Sequence, residues 1–490
     1  MTTTERMDAM PPEADNIEQQ LLGSLMVDPS RLDAVVKTQQ KATSTVSAEA
    51  FPLTDTGLAE RFALQHGDDV RYCHPWGKWL CWDGSRWKID DGGAVEQLGK
   101  QTVRSILREA ADEPDDMRRQ KLTAFAKASE SATRRNAMLM LARSEPPIPI
   151  SPEVLDKNAW ILNCPNGKLD LHAGLLCEHR REDYVTKLCP VEYRPDAPCP
   201  TWLTTLNKCF DRNADLIGYV QRFAGYCLTG EVSEQILNIW HGIGANGKST
   251  ILNALMEVLG GDYSMKGTAD LLMMKYNDGH PTALTDLHGK RLVACIETDE
   301  GRRLAESLVK ELTGGDPIRA RRMREDFWQF WPTHKVVLAC NHRPTVRGTD
   351  HAIWRRLKLV PFNVVIPPDE RDKQLPAKLR EELPGILAWA VKGCLDWQKI
   401  GLGEPKVVID ATADYQSSED VLLNFLNECC EVGPGMRAKA SDLLGAYKEW
   451  SGDKHANAKR LAAALTDRGI ERYTNNGVWY RGIGLSTTEG

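Results

Sequence analysis

The chain has 490 residues, of which 42% are hydrophobic and 27% are charged, and its formal net charge is −6. This length predicts roughly two to four domains, and the composition is typical of an ordinary soluble protein. The acidic balance argues against a protein that coats DNA. Any contact with nucleic acid should therefore be local, as in a channel lined by a few arginines.

The apolar runs and the cysteines both indicate a cytoplasmic protein. No apolar run approaches the length of a membrane span, and the polar start of the chain, residues 1–6, lacks the apolar core of a signal peptide. The thirteen cysteines are scattered and are never spaced as Cys-x-x-Cys, which argues against a zinc finger. We predict reduced thiols, no membrane partner, and a location in the cytoplasm of its own cell or of a host cell.

Residues 1–56 are predicted to form a short helix followed by a flexible linker. Residues 11–26 begin with two prolines and continue with the pattern of an amphipathic helix. Residues 37–56 are rich in Ser, Thr, Gln and Ala, a composition typical of a linker.

Residues 57–205 are predicted to form an α+β domain. Its first part contains a tryptophan cluster around the turn residues Asp83-Gly84, made of Trp76, Trp79, Trp82 and Trp87. These rings could stack on nucleic-acid bases, but a small hydrophobic core is the favoured interpretation. Residues 95–145 have a helical pattern, and residues 161–171 predict a strand, an Asn-Gly turn and a second strand. Helices over 200–229 lead into the next segment.

The most informative stretch is residues 236–250. An apolar run leads into G-x-x-x-x-G-K-S, and a helix-like segment follows, which is the context that a P-loop requires. Glycines allow the backbone to wrap a phosphate chain, while a helix N-terminus favours anions. Lys248 would reach the β- and γ-phosphates of ATP, and the Ser249 hydroxyl would hold Mg²⁺. The predicted nucleotide-binding residues are Gly242, Ile243, Gly244, Ala245, Asn246, Gly247, Lys248, Ser249 and Thr250.

A second apolar strand, within residues 289–300, ends in acids. A P-loop enzyme needs carboxylates at such a position to hold Mg²⁺ and to orient the attacking water. Glu297 is the first candidate for both roles, and Asp299 and Glu300 could share them. Acids also cap strands in ordinary surface loops, but the position after a P-loop favours function.

The next segment predicts a hairpin with a basic tip. A Thr-Gly-Gly-Asp turn at 313–316 precedes four arginines and an aromatic strand. The candidate DNA-binding residues are Arg319, Arg321, Arg322 and Arg324. Arginine pairs with phosphates through a planar fork. The alternative is a solvated edge strand that charge protects from association.

Two further polar positions follow apolar or aromatic residues. Asn341 ends a third strand and could hydrogen-bond the attacking water or the γ-phosphate, although an Asn there could simply begin a turn. Arg355 is a candidate for the arginine that a neighbouring subunit supplies to the transition state, with Arg356 as the alternate. Ordinary surface salt bridges would also explain both arginines.

The C-terminal part changes pattern. Residues 369–405 are predicted to form a helical lid or linker. Within 406–490, helices are predicted over 419–430, 436–451 and 459–467, and a hairpin follows around Asn475-Asn476-Gly477. Helices followed by a β-hairpin outline a winged-helix-like domain.

The ordered motif set resembles superfamily 3 helicases. From about residue 57 onward, it is most similar to the helicase half of phage- and plasmid-encoded primase–helicases, a group related to the poxvirus replicative NTPase. The resemblance implies an α/β fold with an AAA+-like P-loop ATPase core over 206–368, a hexamer, and 3′-to-5′ movement on single-stranded DNA. It also implies Asn341 as sensor and Arg355 as finger, with the arginine hairpin in the channel.

Two features depart from that family. The acidic strand is Cys-Ile-Glu rather than two adjacent acids, which puts the metal and base roles of Glu297 in doubt. Residues 1–56 are too short for the primase domain that such proteins often carry, so priming is not expected. The N-terminal helix is instead a candidate recruiter of a separate primase or another replisome protein.

We therefore predict a hexameric replicative DNA helicase of a phage or mobile element, which uses ATP and Mg²⁺ and binds single-stranded and forked DNA. One alternative is an ATP-switched origin-binding or loader protein that remodels DNA without processive unwinding. A second alternative is a P-loop kinase or metabolic NTPase, against which the arginine hairpin argues.

Overall fold

The computed structural model describes residues 51–274, 282–297, 301–321, 326–347, 351–453 and 455–486. The helix predicted within 11–26 lies outside these residues. The chain divides into two compact units, Met1–Cys81 with Ile89–Pro152, and Trp82–Lys88 with Glu153–Gly490.

The first unit combines helices with a small sheet, in which β1 pairs antiparallel with β2 and parallel with β4. Its core comprises apolar residues of the helices and strands, such as Phe62, Ile106 and Ile148. Its elements are α1 (Asp55–His66), β1 (Val70–Cys73), β2 (Lys78–Trp82), β3 (Trp87–Ile89, where the chain passes between the units), α2 (Ala94–Asp112), α3 (Asp116–Ser129), α4 (Ala132–Ala142) and β4 (Pro149–Ile150).

Short polar side chains determine where three of these helices begin. Thr54 accepts a hydrogen bond from the Gly57 amide at α1, Asp115 caps α3, and Ser131 caps α4. Such caps satisfy amides that have no partner within the helix. The helical prediction over 95–145 is confirmed, with breaks at the caps.

The second unit is built around a five-stranded parallel sheet in the order β14-β8-β13-β10-β9. Its strands are β8 (Leu237–His241), β9 (Ser264–Thr268), β10 (Leu292–Glu297), β13 (Lys335–Cys340) and β14 (Leu357–Pro361). Register pairs His241 with Cys340 and Cys340 with Glu297. The carboxyl ends of β8, β13 and β10 therefore meet at one edge, where open α/β sheets bind ligands.

Both faces of this sheet are covered. Every residue of β13 is buried, and alternate residues belong to different cores: Val337 and Ala339 to one, Val336 and Leu338 to the other. Strands buried on both faces are near-continuous apolar runs, which is why the sequence predicted them. The helices of this part are α5 (Pro200–Cys209), α6 (Ala214–Leu228), α7 (Lys248–Tyr263), α8 (Thr282–Thr285), α9 (Glu306–Gly314), α10 (His351–Trp354), α11 (Leu375–Glu381), α12 (Leu383–Ile400) and α13 (Lys406–Glu419).

Smaller sheets accompany the parallel one. Strands β5 (Ile161–Cys164), β6 (Gly167–Asp170) and β7 (Leu175–Cys177) form an antiparallel sheet, and the predicted Asn-Gly turn joins the first two. The predicted domain boundary at 205/206 falls inside the second unit, because Trp202 and Leu206 of α5 lie in the same core as α6 and α7. Single 3₁₀ turns span Pro152–Val154, Arg181–Asp183, Ala269–Leu271 and Pro368–Glu370.

The C-terminal region has its own core. It contains α14 (Val421–Cys429), β15 (Cys430–Lys439), α15 (Ala440–Ser451), α16 (Ala458–Asp467), β16 (Glu471–Thr474) and β17 (Val478–Leu485), with the sheet order β15-β17-β16. The hairpin at Asn475-Asn476-Gly477 is confirmed. The helix predicted over 436–451 begins only at Ala440, because residues 436–439 belong to β15 and residues 437–439 pair with β17.

Among the residues that the structure describes, no helix is long and apolar enough to cross a membrane. None of the thirteen cysteines, all of which lie within the described residues, forms a disulfide in the structure.

Candidate functional site

The glycine-rich loop connects β8, which ends at His241, to α7, which begins at Lys248. Gly247 has φ of +84°, and a Cβ added there would lie 2.2 Å from the Cys209 sulfur. A Cβ on Gly242 would lie 2.3 Å from the Phe362 carbonyl oxygen. Only glycine fits these two positions, and it allows the backbone to form a tight turn that ends on a helix N-terminus.

Lys248 is almost enclosed by this loop, at 6% exposure. Its Nζ donates to the Gly242 carbonyl oxygen at 2.6 Å, to Asn246 Oδ1 at 3.1 Å and to Asn341 Oδ1 at 3.3 Å. Burial lowers the pKa of the Lys248 ammonium group. The side chain is therefore held inside the loop by oxygen acceptors that phosphate oxygens could replace.

The sheet brings Asn341 to Lys248. Asn341 directly follows β13, the neighbour of β8, so its amide lies beside the loop although 93 residues separate it from Lys248. The backbone of Glu297 lies opposite Cys340 at the same edge, but its side chain is outside the described part of the chain. Asp299 and Glu300 also lie outside it.

The loop is tied to the chain that follows β14. Asn246, 2% exposed, donates from Nδ2 to the Phe362 carbonyl oxygen at 3.2 Å, and the Ile366 amide donates to Ala245 at 2.9 Å. Asn246 thus orients both the loop and Lys248. The sequence pattern placed Asn246 among the nucleotide-binding residues but did not predict this bridging role.

The first turn of α7 faces open space beside the loop. Ser249 is exposed, and Ile243 on the loop is 88% exposed. The first amides of a helix have no partner within the helix and form its positive end, which is a natural anion site. The Ser249 hydroxyl fits a Mg²⁺ ligand beside a phosphate chain there. Among the described residues no cluster of three or more His, Cys, Asp or Glu could hold a metal.

A cleft of about 530 Å³ opens next to the loop. Its walls come from α5 (Thr201, Thr204 and Lys208), from the loop and Thr250, and from the segment 366–378. The volume is in the range of small-molecule sites. The sequence predicted a lid within 369–405 but not the α5 wall. The α5 threonines belong to no motif, and they lie beside the loop only in the folded chain.

The structure does not bring Arg355 or Arg356 to Lys248. Both precede β14 and lie near the amino end of β8, since the Leu237 amide donates to the Arg356 carbonyl oxygen. The strand of five residues places them roughly 13 Å or more from the glycine-rich loop. Arg356 is 9% exposed and donates to the Ala352 carbonyl oxygen at 2.7 Å, whereas Arg355 is exposed and donates to Gln235 at 3.1 Å.

The arginine segment forms the predicted antiparallel pair, β11 (Ile318–Ala320) with β12 (Trp328–Phe330). Two guanidinium groups lie over the Phe327 ring, Arg319 at 4.3 Å and Arg321 at 5.2 Å from its centroid. Phe327 is 47% exposed, so the group is accessible from solvent. Arg322 and Arg324 lie outside the described residues.

Two family models match the chain. The model described as D5 N terminal like matches residues 59–211. The model of a family of unknown function, DUF5906, matches residues 240–356. The second match contains the glycine-rich loop, Asn341 and Arg355.

Curated relatives come from large DNA viruses. A protein of Acanthamoeba polyphaga mimivirus, named as a helicase, is 27% identical over 352 residues, which cover 66% of this chain and 36% of that protein. A protein of African swine fever virus, named as a primase, is 24% identical over 358 residues with the same coverages. A protein of Frog virus 3, named as a helicase, is 25% identical over 251 residues, 47% of this chain and 26% of that protein.

The chain spans little more than a third of the length of the first two relatives. Among solved structures, the apo form of the NrS-1 C-terminal region is similar at 12% identity and a TM-score of 0.45. That match covers 88% of this chain and 100% of the other.

Proposed function

We propose that this chain is a DNA helicase that hydrolyses ATP to unwind DNA during replication. The chain belongs to the D5-like primase–helicase family. The relatives are viral proteins named as helicases or primases. An origin in a phage or another mobile element, and a place in the cytoplasm of its host, are parts of the same proposal.

The observation that carries the proposal is the enclosed ammonium group of Lys248 in a glycine-rich loop, in contact with Asn341 from the adjacent strand. We propose that the loop is the P-loop of an AAA+-like core. In the bound state Lys248 would exchange its present acceptors for β- and γ-phosphate oxygens. Asn341, freed from Lys248, would then hydrogen-bond the γ-phosphate or the attacking water.

The remaining parts of ATP have candidate partners nearby. The cleft beside α5 would receive the nucleoside, since it opens directly from Gly247 and Thr250. Ser249 would hold Mg²⁺, which neutralises charge on the β- and γ-phosphates when bound, and Glu297 would polarise the attacking water from the same sheet edge.

The position of Arg355 supports a shared active site. It is exposed and lies at the edge of the sheet opposite to Lys248, so it cannot serve the site of its own subunit. In a ring, one subunit can present this edge to the loop of the next, as a heterologous interface requires. We propose a homohexamer in which Arg355 completes the neighbour's site. Arg356 is the weaker candidate because it is buried and bonded within its own turn.

The hairpin of β11 and β12 would contact DNA. Its arginines suit phosphate contacts, and such contacts are independent of sequence and weaken with salt. Hydrolysis would move this hairpin along single-stranded DNA, in the 3′-to-5′ direction that the family resemblance implies. Arg322 and Arg324 belong to the same proposal from the sequence alone.

The main alternative is an ATP-switched origin-binding or loader protein. The C-terminal arrangement of α14, α15 and α16 with a β-hairpin favours it, because a winged-helix-like domain could supply duplex specificity. The N-terminal segment could recruit a separate primase or another replisome protein in either case.

Strand displacement from a forked duplex tests the proposal. We expect the protein with ATP and Mg²⁺ to release the labelled strand, and Lys248→Ala to release none. ATP hydrolysis without strand release would instead support the loader. A monomeric mass together with turnover that DNA does not stimulate would support a metabolic NTPase.

A further inference from the structure

The outer face of the C-terminal sheet carries an alternating set of cations and aromatic rings. Register places Arg437 opposite Arg481 and Lys439 opposite Trp479 on one side of β17. On its other side, Glu471 lies opposite Arg481 and Tyr473 opposite Trp479. Residues two apart in a strand share a face, so these side chains lie together. We name this surface the outer C-terminal face: Arg437, Lys439, Glu471, Tyr473, Trp479 and Arg481.

The opposite face of the same sheet is the core side. Ala438 and Tyr480, which alternate with the residues above, are buried together with Phe425, Leu443 and Leu465 of the helices. Arg437, Lys439 and Arg481 are exposed, and the two rings are half-buried. The helices of the C-terminal region that the structure describes therefore pack against the core side of the sheet, and the outer C-terminal face is the other side.

The charges on this face are mostly positive. Arg437, Lys439 and Arg481 stand against the single acid Glu471, in a chain whose net charge is −6. The Arg481 guanidinium lies 4.6 Å from the Tyr473 ring centroid and 3.6 Å from Glu471. The ring contact and a weak, exposed ion pair hold this cation over the sheet surface. A phosphate can therefore draw Arg481 away from the ring and leave the Tyr473 ring free to stack.

We propose that the outer C-terminal face binds a single-stranded polynucleotide, with Tyr473 and Trp479 stacking on bases and the three cations contacting phosphates. Half-exposed rings on adjacent strands, flanked by Arg and Lys, offer the two contacts that unpaired strands need. A sheet surface with neighbouring aromatic rings also recognises splayed bases. In a duplex the base faces are already stacked, so the rings would gain nothing.

This site is separate from the hairpin of β11 and β12 and does not depend on ATP. It would anchor a strand on the C-terminal region whether or not the proposed helicase activity is correct. A nucleotide-free binding experiment therefore tests it independently of Lys248.

The experiment measures fluorescence anisotropy of labelled oligothymidylate with the full chain, in an Arg319→Ala/Arg321→Ala background that removes described hairpin contacts. We expect Tyr473→Leu to weaken binding roughly tenfold, as the loss of one stacking partner does. Arg481→Ala should reduce the slope of log affinity against log salt by about 0.7, one phosphate contact on a single strand. Oligouridylate in parallel shows whether DNA or RNA is preferred, and binding of either that Tyr473→Leu weakens supports the site.

Arg472→Ala is the matched control. Arg472 lies on the same strand as Tyr473 and carries the same charge as Arg481, but it lies opposite Tyr480, on the other face of the sheet. We expect its affinity to stay unchanged, and thermal unfolding of each variant confirms that the domain is folded. Equal affinities for Tyr473→Leu and Arg472→Ala would overturn the proposal. So would a duplex that binds as tightly as the single strand and is equally weakened by Tyr473→Leu.

Discussion

At the scale of single residues, the surroundings of Lys248 explain how the glycine-rich loop keeps its shape. A buried ammonium group is unfavourable unless oxygen atoms surround it. Gly242, Asn246 and Asn341 supply these oxygens, and the lysine in turn links the start of the loop to Asn341. Burial lowers the pKa of Lys248, and an approaching triphosphate would raise it again. The charged form would thus be favoured most in the proposed complex with a triphosphate.

Lys335 shows a second buried cation with a different role. It lies at the start of β13, 3% exposed, with Nζ donating to the Glu231 and Thr333 carbonyl oxygens, both at 3.2 Å. Burial lowers its pKa from 10.5 to about 7. The group is structural because its bonds all go to backbone carbonyls.

Stability should therefore depend on pH through Lys335. Between about pH 7 and 10.5 the unfolded chain holds a proton that the folded chain has released. The free energy of unfolding should rise with pH in that window, by at most about 1.4 kcal/mol per pH unit. Urea unfolding of the wild type and Lys335→Met at several pH values measures this. The free energy of unfolding of the wild type should rise relative to that of Lys335→Met as pH rises. A difference that stays constant with pH would contradict the lowered pKa of Lys335.

At the scale of elements, the α5 wall of the cleft is the part of the proposed nucleotide site that a side-chain substitution can block selectively. Thr201, Thr204 and Lys208 of α5 line the cleft, whereas Asn207 is exposed and does not line it. A bulky side chain in place of one of the lining residues would occupy the space proposed for the nucleoside.

We expect Thr204→Trp to raise the KM for ATP roughly tenfold, because the indole would fill part of the cleft. Asn207→Trp adds the same side chain three residues further along α5, at an exposed position that does not line the cleft, and should leave KM unchanged. Steady-state hydrolysis over a range of ATP concentrations gives both values. Equal KM values for the two variants would remove the cleft from the nucleotide site.

Elements differ in how far the sequence could predict them. The central strands β8, β10 and β13 were predictable because burial on both faces makes each a continuous apolar run. β15 was missed over 436–439 because Gly433-Pro434-Gly435 has the composition of a turn; in the structure it is an irregularity between two paired stretches. The contact of Lys248 with Asn341 spans 93 residues, and only the motif order suggested it. The cleft had no sequence signal.

At the scale of the whole molecule, the separation of Lys248 from Arg355 makes each subunit incomplete in the proposed ring. A subunit with Lys248→Ala still offers Arg355 to its neighbour, and a subunit with Arg355→Ala still offers its own loop. The two defects should therefore complement each other.

We expect each variant alone to have almost no ATP turnover. An equimolar mixture that exchanges subunits should recover up to roughly a quarter of the sites, because random placement around a closed ring puts an intact loop next to an intact Arg355 at that fraction of the junctions. Hydrolysis assays before and after mixing measure the recovery, and a mixture of Lys248→Ala with wild type controls for exchange. No recovery despite exchange would place Arg355 outside the neighbouring site.

ATP hydrolysis by Lys248→Ala, with and without single-stranded DNA, tests the central claim most directly. Lys266→Ala, which changes an exposed lysine on β9, is the matched control. We predict that the wild type and Lys266→Ala hydrolyse ATP and are stimulated by DNA, and that Lys248→Ala loses turnover by about two to three orders of magnitude. Wild-type turnover by Lys248→Ala would contradict the account.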